Sequence, residues 1–203
     1  MRAHDQPRAR LLAAVIAHLQ RVGVTDLSLR ELAAAIGTSH RMLLYHFGSR
    51  AGLLVAVVQA VEEAQRAFLA DLVAESGGSR DDAARALWRR LADPALWPSE
   101  RLFFELYVQA LRGRPGTAGL LDDIVEAWVR PLVADAPRYG LDPAHARDDA
   151  RLGVAVVRGL LLDLLATGDR AGVDAAFERF LALHAAADRA RSARQQPDTA
   201  PDA

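Results

Sequence analysis

Apolar residues recur at intervals of three and four positions along most of the chain, which is the spacing of one face of an α-helix. Near the N-terminus, Leu12, Val15, Ile16 and Leu19 form one such stripe. No segment shows the strict alternation of apolar and polar residues that marks a half-buried strand. The pattern therefore predicts an all-α protein.

Glycine and proline interrupt the apolar pattern and set the predicted helix ends. After residue 48, helices are predicted over residues 49–75, 80–91, 99–112, 117–135, 143–167 and 170–191. Pro131 would kink the helix that contains it, because proline removes an internal hydrogen bond. The segment 192–203 has no large apolar residue and is predicted to be disordered.

The segment 28–50 predicts two short helices that are joined by a tight turn and followed by the start of a third. Ser28 and Glu31 have the spacing of a capping box, in which each side chain satisfies a backbone N–H group at a helix start. Gly37 suits the left-handed conformation that ends a helix. The two hydroxyl residues that follow it can both cap the next helix.

The second of these helices presents side chains that a packed core would exclude. Leu43 and Phe47 lie four residues apart, so both can face inward near the end of the helix. The opposite side has a largely cationic and aromatic character and consists of His40, Arg41, Leu44 and Tyr45. Such a face suits a helix that enters the DNA major groove with its N-terminal residues foremost.

The segment therefore predicts a helix-turn-helix that binds double-stranded DNA. Arginine and histidine can donate to base edges, whereas hydroxyl groups and helix N-termini commonly contact phosphates. The residues expected to contact DNA are Ser28, Thr38, Ser39, His40, Arg41, Leu44, Tyr45, His46 and Arg50.

This part of the chain resembles the DNA-binding domain of the TetR family of bacterial transcriptional regulators, over roughly the first quarter of the sequence. The matching positions are the segment 10–23 and Ser28, Leu29, Ala33, Gly37, Ser39, Leu43, His46, Phe47, Ser49, Arg50 and Leu53. Arg41 stands where the family has a small residue, and Leu44 where it has a tyrosine; Tyr45 follows instead. Arg50 matches the phosphate-binding lysine of the family. Because the base-contacting positions depart from the family, its operator sequences do not transfer.

Charge is distributed unevenly along the chain. The net charge is −1, but residues 1–50 hold seven arginines and three acidic residues, a formal +4 that leaves −5 for the remainder. A basic head on an acidic body favours contact with phosphates through one end only. The chain has no cysteine, which excludes disulfides and thiolate metal sites.

The helix predicted at 143–167 is apolar on nearly every side, and the last helix has a second apolar stripe. A helix that is apolar all round must be buried, and a body of this size has difficulty enclosing one fully. Two helices from each of two chains would form a four-helix interface, although one chain could also bury both. The resemblance implies the same homodimer, and hence a palindromic operator with half-sites about one helical turn apart.

The sequence thus predicts a three-helix DNA-binding domain at 1–50, a helical effector-binding and dimerisation domain at 51–191, and a tail at 192–203. Six of the twelve aromatic residues fall between residues 88 and 128. They could fill a core, or they could line an apolar pocket with a few polar anchors. The resemblance implies such a pocket, for a small hydrophobic effector that releases the DNA. The expected pocket residues are Trp88, Trp97, Arg101, Phe104, Tyr107, Trp128 and Arg158.

Other functions find less support. No nucleophile, zinc-protease or nucleotide-loop motif occurs, so neither catalysis nor a cofactor or metal is expected. No apolar run is long enough to span a membrane, so the protein is expected in the cytoplasm. The alternative function is a helix-turn-helix that contacts protein instead of DNA, in which His40, Tyr45 and His46 would be packing residues.

Overall fold

The computed structural model describes residues 5–22, 28–75 and 79–195, and within them the backbone is helical, with no strand. The α-helices are α1 (Asp5–Val22), α2 (Leu29–Ala35), α3 (His40–Phe47), α4 (Arg50–Glu75), α5 (Arg80–Leu91), α6 (Trp97–Leu111), α7 (Glu126–Asp135), α8 (Ala146–Thr167) and α9 (Arg170–Gln195). Short 3₁₀ turns occur at Pro94–Leu96, Ala118–Leu120 and Ala136–Tyr139. The all-α prediction is confirmed.

Two predicted boundaries were wrong. No α-helix covers 117–125; a 3₁₀ turn and irregular backbone precede α7, and Asp123 has a φ of 65° that a right-handed helix does not allow. Pro131 lies inside α7. The helix α9 continues to Gln195, so residues 192–195 are helical. The rest of the predicted tail, residues 196–203, lies outside the described residues.

The chain forms two compact units. Unit 1 comprises residues 1–75 and 89–124, and unit 2 comprises residues 76–88 and 125–203. The predicted division at residues 50 and 191 concerns function and stays a prediction.

Unit 1 holds the predicted helix-turn-helix and the helices that support it. Its core is formed by inward residues of α1, α4 and α6, on which α2 and α3 pack. Val15 of α1, Leu43 of α3, Leu53 of α4 and Leu106 of α6 are each no more than 1% exposed. The helix α3 is therefore anchored to the same core as α6.

The segment that follows α6 lies directly against the start of α4. Gly116 has a φ of 84°, and a Cβ atom added to it would lie 3.1 Å from Ala51 Cβ and 3.3 Å from Ser49 Oγ. Nearby, Gln59 Nε2 donates to the Gly119 carbonyl at 3.1 Å. Glycine is favoured at 116 both by the positive φ and by the tight space, which a side chain could enter only if Ala51 or Ser49 shifted. We refer to this contact of Gly116 with Ser49 and Ala51 as the glycine seat.

Replacing Gly116 by alanine is expected to lower the free energy of unfolding by roughly 1–3 kcal/mol, because the left-handed backbone and the crowded Cβ are both unfavourable. Chemical denaturation measures the change. Gly119→Ala is the matched control, since an added Cβ there meets nothing within 4 Å and the backbone φ is ordinary. Equal stability of the two variants would contradict the assignment.

In unit 2, α8 and α9 form a helical hairpin across Gly168, whose φ is 71°. The ends far from this turn meet, because Arg191 donates to Asp149 at 2.6 Å. Residues 80–88 of α5 run antiparallel to α9 and are held by three polar contacts. These contacts are Arg80 to Asp188 at 3.1 Å, Arg85 to Glu178 at 2.9 Å, and Trp88 Nε1 to Asp174 at 2.6 Å.

Three potential metal ligands of unit 2, Asp149, His184 and Asp188, have donor atoms within 4.8 Å of one another. Two arginines already bind them: Arg80 lies 2.9 Å from His184 Nδ1, and Arg191 contacts both carboxylates. Burial acts to raise the pKa of Asp188, but the Arg191 hydrogen bond and the charges of Arg80 and His184 outweigh it and lower that pKa. The cluster is an ion-pair network that joins α5, α8 and α9.

The Asp188→Asn variant is expected to lose stability at neutral pH and to resemble the parent in acid. Because the folded-state pKa is lowered, ionised Asp188 stabilises the fold above its ordinary pKa of about 3.9, and this contribution disappears as the pH falls through the lower folded value. The neutral-pH effect is about 1 kcal/mol, since solvent screens a partly exposed pair. Chemical denaturation from pH 7 to pH 3 measures it, with the exposed Asp122→Asn as control. A difference that does not change with pH would contradict the prediction.

Within the described residues, no single helix has the length and hydropathy of a membrane span. Helices α3 and α4 meet those criteria only when they are combined across a bend of 67°.

Candidate nucleic-acid interface

The predicted capping box at the start of α2 is confirmed. Ser28 Oγ accepts a hydrogen bond from the Glu31 backbone N–H at 3.3 Å, and the Ser28 N–H donates to Glu31 Oε2 at 2.8 Å. The hydrogen bonds from the side chain and backbone of Ser28 lower the pKa of Glu31. The carboxylate thus fixes where α2 begins.

The turn between α2 and α3 is set by one glycine and one serine. Gly37 has a φ of 71°, and the N–H groups of Gly37 and Thr38 bond back to the carbonyls of Ala34 and Ala33 at 3.3 and 2.9 Å. This is a Schellman motif, which satisfies the last carbonyls of a helix. Ser39 then caps α3 by accepting from the Met42 N–H at 3.2 Å. Four residues therefore separate the two helices.

The helix α3 has one buried and one exposed side, as predicted. Leu43 and Phe47 are buried, whereas Arg41 and Leu44 are exposed and Tyr45 is 65% exposed. Met42 is also exposed. The sequence interpretation did not include Met42, because an apolar side chain on a short helix gives no signal of its own.

The two ends of α3 carry different groups that could donate hydrogen bonds to DNA phosphates. At its start are the hydroxyl groups of Thr38 and Ser39; at its end Gly48 stops the helix with a φ of 74°. Ser49 then caps α4 by accepting from the Gly52 N–H at 3.0 Å, and Arg50 is exposed in the first turn. With eight residues, α3 is about 12 Å long, close to the width of the major groove of about 12 Å.

His46 and His40 are both half-buried. The His46 ring lies edge-on to Tyr45, with centroids 5.0 Å apart, and 6.3 Å from the Phe47 ring. Its Nε2 atom is buried and has no hydrogen-bond partner among the described residues. A contact of His46 with DNA stays a prediction, and it would have to use another atom of the side chain.

Arg8 of α1 lies at the same end of α3 and was not among the predicted site residues. Its guanidinium carbon is 5.1 Å from the centroid of the Phe47 ring, and the side chain is exposed. The position precedes the family-like segment, so no motif marked it. The structure adds Arg8 to the candidate site because α1 begins at Asp5, five residues before the family-like segment 10–23.

The residues predicted for an effector pocket fall into both units. Trp97, Arg101, Phe104 and Tyr107 lie along α6 in unit 1, whereas Trp88, Trp128 and Arg158 lie on α5, α7 and α8 in unit 2.

Within unit 1, the Arg101 guanidinium is 5.7 Å from the Trp97 ring centroid. Both Phe104 and Tyr107 contact the Phe103 ring, at centroid distances of 5.1 and 5.7 Å. The side chains of Phe104 and Tyr107 are half-buried. The aromatic residues of α6 therefore form a cluster of their own.

Within unit 2, Trp88 has a packing role. Its ring is stacked on Phe177 with centroids 5.0 Å apart, and its indole nitrogen is held by Asp174. Trp128 is buried and Arg158 is half-buried. Their participation in a pocket stays a prediction.

A buried polar pair of unit 1 was missed by the sequence interpretation. Gln65 Nε2 of α4 donates to Glu100 Oε1 of α6 at 2.6 Å, and the two residues are only 2% and 3% exposed. A buried carboxylate is rare unless it is hydrogen-bonded. In the sequence, Glu100 has the position of an ordinary first-turn acid, so no signal distinguished it.

Comparisons with known proteins agree with this geometry. Residues 11–57 match the family model described as bacterial regulatory proteins, tetR family. This match covers α2, α3 and the first turns of α4, together with most of α1. No curated protein matches the chain.

Several solved structures share the fold. A TetR transcriptional regulator from Legionella pneumophila is 23% identical, with a TM-score of 0.62 over 84% of this chain and 95% of that one. A TetR-family member from Streptomyces coelicolor is 24% identical, with a TM-score of 0.61 over 87% and 96%. The multidrug binding protein EbrR, complexed with imidazole, is 24% identical, with a TM-score of 0.60 over 88% and 89%.

Proposed function

We propose that the chain is a transcriptional regulator of the TetR family, a repressor which binds a palindromic operator as a homodimer and is released by a small hydrophobic effector. The observation that carries the proposal is the exposed face of α3, where Arg41 and Tyr45 stand out from a helix whose other side is buried. We expect it to act in the cytoplasm, where bacterial DNA is found.

The proposed DNA contacts follow from the position of each group. Arg41, in the first turn of α3, is placed to donate to base edges, for which arginine is well suited. Tyr45, at the far end, can donate to a phosphate. Ser39 and Arg50 stand at the N-termini of α3 and α4, where backbone N–H groups favour anions. Phosphate contacts on both sides would hold the register, and Arg41 would supply sequence discrimination.

The proposed dimer rests on apolar surface that one chain leaves uncovered. On α8, an exposed stripe at helical spacing comprises Leu152, Ala155, Gly159, Leu162 and Ala166. Leu152 and Leu162 are 53% and 50% exposed, and Leu183 of α9 is 53% exposed. Small residues between the leucines would allow close approach of a second copy. A two-fold symmetric contact through this face suits a palindromic operator.

The proposed effector site rests on the α6 aromatics beside the Gln65–Glu100 pair. An apolar surface with a few oriented polar groups is the usual form of a small-molecule site, and a protein of the same fold, EbrR, binds imidazole. An effector that prefers the state unable to bind DNA would weaken operator binding only by its differential affinity, typically about 1–3 kcal/mol.

In vitro selection from random duplex DNA tests the proposal. We expect enrichment of a palindrome whose half-sites are about one helical turn apart. The double variant Arg41→Ala/Tyr45→Ala serves as a control and should enrich nothing. Selection of a single unpaired half-site would exclude the dimeric mode, and retention without sequence preference would exclude a specific operator. The selected duplex then serves as the probe in a screen of small molecules that release it.

A further inference from the structure

Arginines belong to three separate segments that each have a contact near the turn that joins α3 to α4. Arg50 belongs to the first turn of α4 and is part of the family-like motif. Arg8 comes from α1, and Arg112 and Arg114 come from the segment after α6. The residues outside the motif have no function assigned by the contacts described so far, and all three are exposed.

Arg8 is held near this turn by its contact with the Phe47 ring. Phe47 is the last residue of α3, so a guanidinium 5.1 Å from its centroid lies at the C-terminal end of the recognition helix. A cation over an aromatic face is attracted by the ring quadrupole. The charged group is therefore positioned at the surface, with no ion pair to a described carboxylate.

Arg112 and Arg114 belong to the segment whose backbone is positioned by the glycine seat. Gly116 touches Ser49 and Ala51 at the start of α4, and Arg114 is only two residues away. The backbone here is fixed, because the Arg114 carbonyl accepts hydrogen bonds from Thr117 Oγ1 at 2.7 Å and from the Thr117 N–H at 3.2 Å. Thr117 itself is fully buried. The basic segment is thus attached firmly next to the cap of α4.

The segment after α6 has a net positive charge. Residues 112–116 contain two arginines and no acid. Among the described side chains neither Arg112 nor Arg114 forms an ion pair, although other arginines of the protein, such as Arg66 and Arg85, do. A cationic segment whose backbone is held next to the turn proposed to contact DNA favours a polyanion as its occupant.

We propose that Arg8, Arg112 and Arg114 bind phosphates of the duplex that α3 enters, so that the DNA interface extends beyond the helix-turn-helix to α1 and to the segment after α6. The proposal rests on DNA binding by this domain. These residues add affinity for any duplex and no preference for sequence, because phosphates are the same at every base pair.

The salt dependence of binding identifies such contacts. Each phosphate neutralised in B-DNA contributes about 0.9 to the slope of log K against log salt concentration. In a dimer, every substitution is present twice, so loss of one phosphate contact per protomer lowers the slope by roughly 2. The affinity for specific and for scrambled duplex should fall by a similar factor.

The test uses two variants of the full-length protein and one control. Arg8→Met keeps an apolar stem over Phe47 and removes the charge, and Arg112→Gln/Arg114→Gln removes both charges of the segment. Arg138→Gln removes one exposed arginine of unit 2, so its change of net charge matches that of Arg8→Met, and the double variant is compared with twice its effect. Fluorescence anisotropy with the selected palindrome and with a scrambled duplex is measured at several salt concentrations.

We expect both test variants to bind each duplex roughly tenfold more weakly near physiological salt and to show a smaller salt slope, with unchanged melting temperatures. Lysine at the same positions should restore most of the slope. Slopes and affinities equal to those of Arg138→Gln would overturn the proposal. The test works with any duplex, so its failure is distinct from a failure to find a palindromic operator.

Discussion

Replacing Leu162 by glutamate is expected to convert the proposed dimer into monomers and to lower operator affinity by about a hundredfold or more, since two linked half-site contacts become independent. The side chain is half exposed in a single chain, so the carboxylate stays hydrated in the monomer. In a dimer it would be buried against apolar surface, where an unpaired charge is strongly unfavourable.

Sedimentation or light scattering measures the change in mass, and anisotropy measures the loss of operator binding. The control is Val108→Glu, the same type of substitution at an exposed residue of α6 in the other unit. It should leave the mass unchanged. A Leu162→Glu protein that remains dimeric would show that the α8 stripe is not the interface.

Alanine at Arg41 or at Tyr45 is expected to weaken operator binding by roughly 1–3 kcal/mol per half-site, and hence by roughly 2–6 kcal/mol for a dimer. Both side chains are exposed, so the melting temperature should change little. The two variants should differ in specificity: Arg41→Ala should relax the preference at one base pair of each half-site, whereas Tyr45→Ala should weaken all sequences alike if Tyr45 contacts a phosphate.

The control here is Leu43→Ala on the buried side of the same helix. It removes a core side chain, which typically costs about 2–5 kcal/mol of folding stability, and any loss of DNA binding should follow the loss of structure. If Tyr45→Ala lowered the melting temperature as Leu43→Ala does, Tyr45 would be a packing residue and the alternative interpretation of this face would gain support.

The success of the sequence interpretation at the helix-turn-helix has a local physical cause. The capping box at Ser28, the left-handed Gly37 and the cap at Ser39 each depend on residues within a few positions of one another. Such signals survive without knowledge of the fold. The inward side of α3 followed from the spacing of Leu43 and Phe47, which is equally local. Base contacts at this site remain a prediction, because they depend on the DNA.

The errors and omissions have the opposite cause. The prediction of an α-helix over 117–125 was wrong, since Asp123 adopts a positive φ there. Aspartate tolerates this conformation, but its presence in a sequence does not indicate it. The Gln65–Glu100 pair joins residues 35 positions apart, and the two look like solvated helix residues until α4 and α6 pack. Arg8 acquires a role only from its distance to Phe47. Contacts that depend on packing between distant segments leave no periodic trace in the sequence.

The glycine seat has a thermodynamic consequence for the proposed coupling between effector and operator. Because the backbone at Gly116 lies close to Ser49 and Ala51, we expect a shift of the segment after α6 to be accompanied by a shift at Ser49 or by loss of the contact. In the proposed mechanism, a ligand that favours one arrangement of this segment would change operator affinity, and reciprocity would require the operator to change the affinity for that ligand by the same factor. Calorimetric titrations can measure the affinity for the effector with and without a short operator duplex, and the affinity for the duplex with and without the effector. The two ratios of affinities should be equal. In the Gly116→Ala protein, where the contact is strained before anything binds, both factors should shrink together.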